Sequence, residues 1–203
     1  MNATYINDVL SGKYIEIIPG ISGEMIEIDY NNGFIDGKYI ITNNLGEKMI
    51  EKTYTNGILN GIQLEWYDNE VIKSNANFQN GEAEGESIKY YKNGKESSKK
   101  VFKKGFLIKR ISYYENGNIR SESNYKNNQP DGKQTYYFQS GQVAEISNYC
   151  SGWNYCGLQQ SFYSNGNIYM KGTITNGNGQ LTYYNPNGSI LKIEKYLNGK
   201  LLE

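Results

Sequence analysis

Apolar and polar positions alternate along this chain in short runs, and each run ends at a turn. After Gly85 the residues are Glu86, Ser87, Ile88, Lys89, Tyr90 and Tyr91, so Ile88 and Tyr90 share one side and Ser87 and Lys89 the other. After Gly61, Leu64 and Trp66 oppose Gln63 and Glu65 in the same way. Ile15, Ile40, Ile111 and Leu181 occupy the same apolar side in other runs. In a second kind of run the apolar site is the second residue after the turn, as at Ile72, Ile119, Val143, Ile168 and Ile190. A period of two built from β-branched and aromatic residues predicts strands. No segment keeps a 3.6-residue period. The separating turns carry Asn93-Gly94, Asn116-Gly117, Asn165-Gly166 and Asn187-Gly188, pairs that tolerate the positive φ of hairpins.

The runs recur. Units begin at Tyr5, Tyr30, Tyr54, Phe78, Phe102, Tyr125, Tyr149 and Ile174, with a terminal stub from Tyr196, and successive starts lie 22–25 residues apart. Within a unit come an early Asn-Gly, often a second glycine, an aromatic pair such as Trp66-Tyr67 or Tyr113-Tyr114, and then the tight turn. Residues 1–203 therefore read as a single repeat domain of about eight hairpins. The predicted fold is all-β, an elongated single-layer antiparallel meander in which each unit leans on its neighbours.

Composition narrows this further. Hydrophobic residues make up 37% of the chain, and twenty tyrosines supply much of that apolar character. This suits a thin sheet of half-buried amphipathic side chains better than a thick core. Lys+Arg and Asp+Glu balance at 21 each, which gives no bulk attraction to nucleic acid or anionic lipid; Lys99, Lys100, Lys103 and Lys104 are the nearest approach to a basic cluster. No stretch is long and apolar enough for a membrane helix, and no leader-like segment is seen at the N-terminus. Histidine is absent, which removes Ser-His-Asp and Cys-His nucleophile pairs and most familiar zinc sites. No catalytic residue, cofactor or metal is expected.

The pattern Y-x-N-G-x-x-x-G-x-x-x-x-Y-Y-x-N-G-x-x-x-x-x-x-x-Y, clear in Tyr125–Tyr149 and Phe78–Phe102, resembles the MORN-repeat variant of bacterial proteins, including those classed as YwqK-type antitoxins. The resemblance covers nearly the whole chain. It implies a bacterial, non-enzymatic protein-binding module, with an antitoxin or immunity protein that occludes a cognate toxin as the specific form. Three departures stand out: Ile108 at a second-glycine position, Glu70 at a turn-glycine position, and Pro19-Gly20 in place of an Asn-Gly turn.

Candidate contact residues are those that vary between units. On the polar side these are Tyr39, Gln63, Arg110, Tyr136 and Gln159; in the least repeat-like loop they are Trp153 and Tyr155. Cys150 and Cys156 flank that loop. They are either a disulfide, which suits an oxidising compartment, or two free thiols. The spacing fits neither a zinc nor a redox motif. The expected location is the bacterial cytoplasm, or outside it if the cysteines are bonded. The alternative function is an exported or surface-associated repeat protein contacting host or envelope components. The expected state is a monomer or an end-to-end dimer, since sheet ends offer unpaired edges.

Overall fold

A computed structural model describes residues 3–18, 23–150 and 155–202. The chain divides into two compact units: Met1–Glu96 with Val101–Gly105, and Ser97–Lys100 with Phe106–Glu203. The first contains β1 (Tyr5–Ile6), β2 (Val9–Leu10), β3 (Gly12–Ile17), β4 (Met25–Asn31), β5 (Phe34–Thr42), β6 (Lys48–Thr55), β7 (Ile58–Leu59), β8 (Gly61–Trp66), β9 (Ile72–Gln79) and β10 (Glu82–Tyr90). Residues of β11 (Glu96–Lys103) are divided between the two units. The second unit contains β12 (Phe106–Tyr113), β13 (Ile119–Lys126), β14 (Gln129–Tyr137), β15 (Val143–Tyr149), β16 (Gly157–Phe162), β17 (Ile168–Thr175), β18 (Asn178–Tyr184), β19 (Ile190–Leu197) and β20 (Lys200–Leu202). The described residues contain no helix, so the all-β antiparallel meander of hairpin repeats is the observed fold.

Inside each unit strands pair with their sequence neighbours, always antiparallel. In the first, β3 through β6 pair in order, β6 takes both β7 and β8, and β8 continues to β9 and β10. In the second, each strand from β12 to β20 pairs with the next.

Two turn types alternate. The early Asn-Gly pairs are themselves hairpin turns. Asn56 and Gly57 have φ of 49° and 78°, between paired Thr55 and Ile58. Asn32-Gly33, Asn80-Gly81, Asn176-Gly177 and Asn198-Gly199 repeat this geometry. Positive φ at both central residues defines the type I′ turn, whose twist matches the strands. The second type spans four residues. At Tyr91–Gly94 the Gly94 amide donates to the Tyr91 carbonyl at 2.9 Å, and Gly94 adopts φ 81°. That is a type I turn closed by a left-handed residue. The asparagine of this turn accepts from the amide two residues on: Asn93 from Lys95, Asn116 from Asn118 and Asn165 from Asn167, each at 3.0 Å. Glu70 fills the glycine slot at φ 60°, as its position in the repeat predicts. Ile108 keeps a φ outside the positive range; Pro19 and Gly20 lie outside the described residues.

Turns of the same type bond to one another across a whole hairpin. Along the first unit the I′ glycine amides donate to carbonyls of the preceding repeat: Gly33 to Leu10, Gly57 to Ile35, Gly81 to Leu59 and Gly105 to Ala83, at 2.7–3.0 Å. At the other edge, the second residue of the aromatic pair stands at the start of the turn and reaches the next hairpin. Tyr67 Oη donates to the Tyr90 carbonyl at 2.8 Å, Tyr114 to Tyr137 at 2.7 Å and Tyr163 to Tyr184 at 2.8 Å. The turn asparagines run parallel bonds, Asn69 Nδ2 to the Lys92 carbonyl and Asn116 Nδ2 to the Gln139 carbonyl. At about 1 kcal/mol each, such bonds matter in a protein with little core. Ile28, Tyr149, Ile174 and Leu181 are each 7% exposed and form the buried apolar set, with Pro130 also buried.

Two details of register depart from the sequence reading. In the last repeat the four-residue turn starts at Asn185, with Gly188 donating to its carbonyl, so Tyr183-Tyr184 sits one place earlier than the other aromatic pairs. The same one-residue slip moves Leu181 to the opposite side of the sheet from Ile111, since a period of two inverts with a single residue. The second departure concerns depth. Ser123, Gln134, Ser147 and Gln159, on the side read as polar, are only 5%, 4%, 2% and 3% exposed. They lie in one cross-strand row, with Arg110 opposite Ser123, Ser123 opposite Gln134, and Gln134 opposite Ser147. Short serines between glutamines let the row close, and Gln134 Nε2 donates to Ser123 Oγ at 2.7 Å, satisfying both buried groups.

Candidate binding site at the disulfide junction

Every early turn that the structure describes in full has two residues, and the connection between β15 and β16 is longer. Here Cys150 and Cys156 are joined as a disulfide with Cα atoms 5.7 Å apart. The pairing of β15 with β16 is short, with Glu145 opposite Ser161 and Ile146 opposite Gln160, followed by an isolated bridge from Tyr149 to Tyr155. The Cys156 amide donates to the Asn148 carbonyl at 2.9 Å, and Gln159 Nε2 donates to the carbonyls of Asn148 and Cys156 at 3.2 and 3.4 Å. The junction is thus held by a covalent clasp and side-chain bonds where its neighbours use a tight turn.

A hollow lies on each side of the clasp. One, about 560 Å³, is lined by Lys133, Ile146, Asn148, Tyr149, Leu158 and the disulfide. The other, about 800 Å³, is lined by the disulfide, Tyr155, Ile174, Leu181, Tyr196 and the paired turns Asn176-Gly177 and Asn198-Gly199. Gly199 donates to the Gly177 carbonyl at 2.9 Å, which sets these turns side by side as one wall. Tyr149 and Tyr155 rings lie 5.0 Å apart at 35°. Burial first, then its hydrogen bond with Tyr155, raises the Tyr149 hydroxyl well above the usual phenol range. Tyr155 remains 44% exposed.

The residues singled out in the sequence fall in different places. Tyr155 stands at the mouth of the larger hollow. Tyr136 is close by, 37% exposed, its hydroxyl donating to Gln134 Oε1 at 3.3 Å. Its pKa is raised chiefly by burial, then by Glu145, Tyr125 and Tyr155, with exposed Arg110 acting in the opposite sense. Gln159 is buried beneath the junction and anchors it, so it presents no open surface. Tyr39 and Gln63 belong to the first unit. Tyr39 packs edge-on against Tyr54 at 6.3 Å with the Lys52 ammonium 5.8 Å from its ring, and Gln63 Nε2 donates to Glu65. Trp153 lies outside the described residues. The sequence reading passed over Tyr149, Ile174 and Tyr196 because all three are unit starts, the positions most easily taken as scaffold. The available signal was the lengthened connection beside them.

Near Tyr196 a carboxylate is tightly held. Glu194 accepts from Lys192 Nζ at 2.6 Å and from the hydroxyls of Tyr183 and Tyr196 at 2.8 Å each. These three donors lower its pKa to about 2. This cluster fixes the Tyr196 ring at the wall of the larger hollow. Among the described residues no group of three His, Cys, Asp or Glu side chains is placed to hold a metal.

Four segments match the MORN repeat variant family, residues 59–80, 108–127, 130–151 and 155–176. The third matched segment ends at residue 151 and the fourth begins at residue 155, both within the Cys150–Cys156 loop, so the clasp occupies a junction between matched segments. No curated protein matches the chain.

Proposed function

We propose that this chain is a non-enzymatic protein-binding module, and specifically an antitoxin or immunity protein that neutralises a cognate toxin by covering its active site. MORN repeats are in general binding modules for proteins or membranes. The observation that carries the reading is the break in the repeat at Cys150–Cys156. There the scaffold bonds that recur elsewhere are replaced, and an exposed aromatic, Tyr155, lines the larger of the two hollows. Exposed, rigidly seated tyrosines are favoured anchors at protein interfaces. Tyr136 and Arg110 extend the surface with a second aromatic and a cation. The test is co-purification and calorimetry with the product of a toxin-like gene adjacent to this one. A stoichiometric complex weakened by Tyr155→Ala is expected; no binding, and no protection of cells expressing that toxin, overturns the reading.

The disulfide favours a second reading, an exported or surface-associated protein contacting host or envelope components, because such bonds persist in oxidising compartments. Mass spectrometry of protein isolated under alkylating conditions separates the two. A bonded Cys150–Cys156 pair supports export, and two alkylated thiols support the cytoplasm.

A further inference from the structure

We infer that the larger hollow beside the disulfide is a binding site for an uncharged saccharide. The inference does not rest on the protein-partner reading, since it concerns a concave site and a small ligand.

The first observation is charge. None of the ten described residues lining the hollow is charged, in a chain that is 21% charged. A site for phosphate, a carboxylate or a peptide terminus needs a countercharge or a cluster of converging amides. Here Asn176, Asn198 and the turn backbone supply neutral hydrogen-bonding groups only.

The second observation is the state of the backbone. The strands beneath the hollow, β17 and β18, are paired along both edges. An extended peptide binds a sheet by adding a strand to a free edge. Neither β17 nor β18 offers such an edge, so a peptide lying across them would have to bind without main-chain bonds.

The third observation is the arrangement of surfaces. Ile174 and Leu181 form a floor, each 7% exposed. Tyr155 and Tyr196 stand at the sides, one braced by the Tyr149 ring and the other held through its hydroxyl by Glu194. Asn176 and Asn198 present exposed carboxamides on the wall formed by the two turns. A pyranose has the matching character: a C–H face that packs on aromatic and aliphatic surface, and a rim of hydroxyls that pair with amides. The volume of about 800 Å³ accommodates two or three sugar rings, within the usual range of small-ligand sites.

The experiment is an NMR titration of the intact, oxidised, ¹⁵N-labelled chain with maltotriose, cellotriose and triacetylchitotriose, and with a sialylated trisaccharide as the anionic comparison. At least one neutral sugar is expected to shift the amides of Asn176, Gly177, Asn198 and Gly199 saturably. Tyr155→Ala and Tyr196→Ala should each weaken that binding by about tenfold or more, while Tyr155→Phe stays within about threefold of the parent. Each variant is first shown to keep the parent amide spectrum away from the site. If Tyr196→Ala perturbs the fold, Tyr155→Ala alone decides. The proposal is overturned if none of the three neutral sugars shifts these amides, if Tyr155→Ala binds as the parent does, or if the anionic sugar binds more tightly.

Discussion

The Asn56-Gly57 turn in the first unit and the Cys150–Cys156 junction in the second do the same job by different means. Both return the chain from one strand to the next. At Asn56-Gly57 the return takes two residues, and the glycine amide bonds to the Ile35 carbonyl one repeat back. Phe34 Cδ1 lies 3.5 Å from where a Gly57 side chain would sit. At the junction the return takes longer, strand pairing shortens, and a disulfide with Gln159 beneath it replaces the turn-to-turn bond. Hollows then open on both sides. A repeat that satisfies its own backbone fully has little surface to offer a ligand. It acquires one where a repeat bond is exchanged for something longer.

The comparison can be broken most severely at a turn glycine. A Cβ on Gly177 would sit 2.5 Å from the Gly199 amide nitrogen, and φ there is +74°. Gly177→Ala should therefore cost at least about 3 kcal/mol, from the left-handed backbone plus a backbone clash. Gly94→Ala, at φ +81° with its nearest neighbour 3.9 Å away, should cost only about 1–2 kcal/mol. Urea unfolding of the two variants measures the difference, and equal costs would show that turn stacking adds nothing.

Reducing the disulfide is the next largest perturbation. Opening so short a covalent loop should lower stability by about 2 kcal/mol, chiefly by freeing the unfolded chain. Urea midpoints with and without dithiothreitol report this, and coincident midpoints would mean the junction holds without its clasp.

Smaller still are the tyrosine bonds at the opposite edge. Tyr114→Phe removes the bond to the Tyr137 carbonyl and should cost about 1 kcal/mol. Position 138 tests the reverse. It is a phenylalanine in the place held elsewhere by Tyr67, Tyr114 and Tyr163. Phe138→Tyr should gain up to about 1 kcal/mol by bonding forward to the next hairpin. Thermal unfolding of both variants compares loss and gain.

The finest effect is one of pH. Glu194 is held at about 2, below its unfolded value, by Lys192, Tyr183 and Tyr196. A depressed carboxylate contributes stability above its unfolded pKa and loses it as pH falls through the folded one. Wild type should be more thermostable than Glu194→Gln at pH 6, with the gap closing between about pH 4 and about pH 2. A gap that stays constant across that window would remove the carboxylate from the account.

Much of this architecture could be read in the residues alone. Alternation and Asn-Gly spacing place the strands, the four-residue turns and the odd glutamate at position 70, because turn chemistry is local. Depth could not be read the same way. Ser123, Gln134, Ser147 and Gln159 look like solvent-facing residues, and their burial follows from how short and long side chains meet across four strands. Leu181 was misplaced for a related reason. One extra residue before the Asn185 turn inverts a strand, and only the hydrogen bonds reveal where that residue is accommodated. The candidate site was half legible. Tyr155 and the cysteines stood out as departures from the period, whereas Ile174, Leu181 and Tyr196 join them only through pairing register and turn contact.

The tyrosine-to-carbonyl bonds connect residues 21 or 23 positions apart, one whole unit. This makes the repeat the quantum in which the gene can change length. Duplicating or deleting a complete unit returns every hydroxyl to an equivalent carbonyl, so a longer or shorter descendant inherits a working seam at once. Adding a single residue inside a strand turns the hydroxyl to the wrong side and breaks two seams together. Slippage of the coding sequence by whole units is therefore structurally silent, and a longer connection is accommodated at a junction between units, where Cys150 and Cys156 stand.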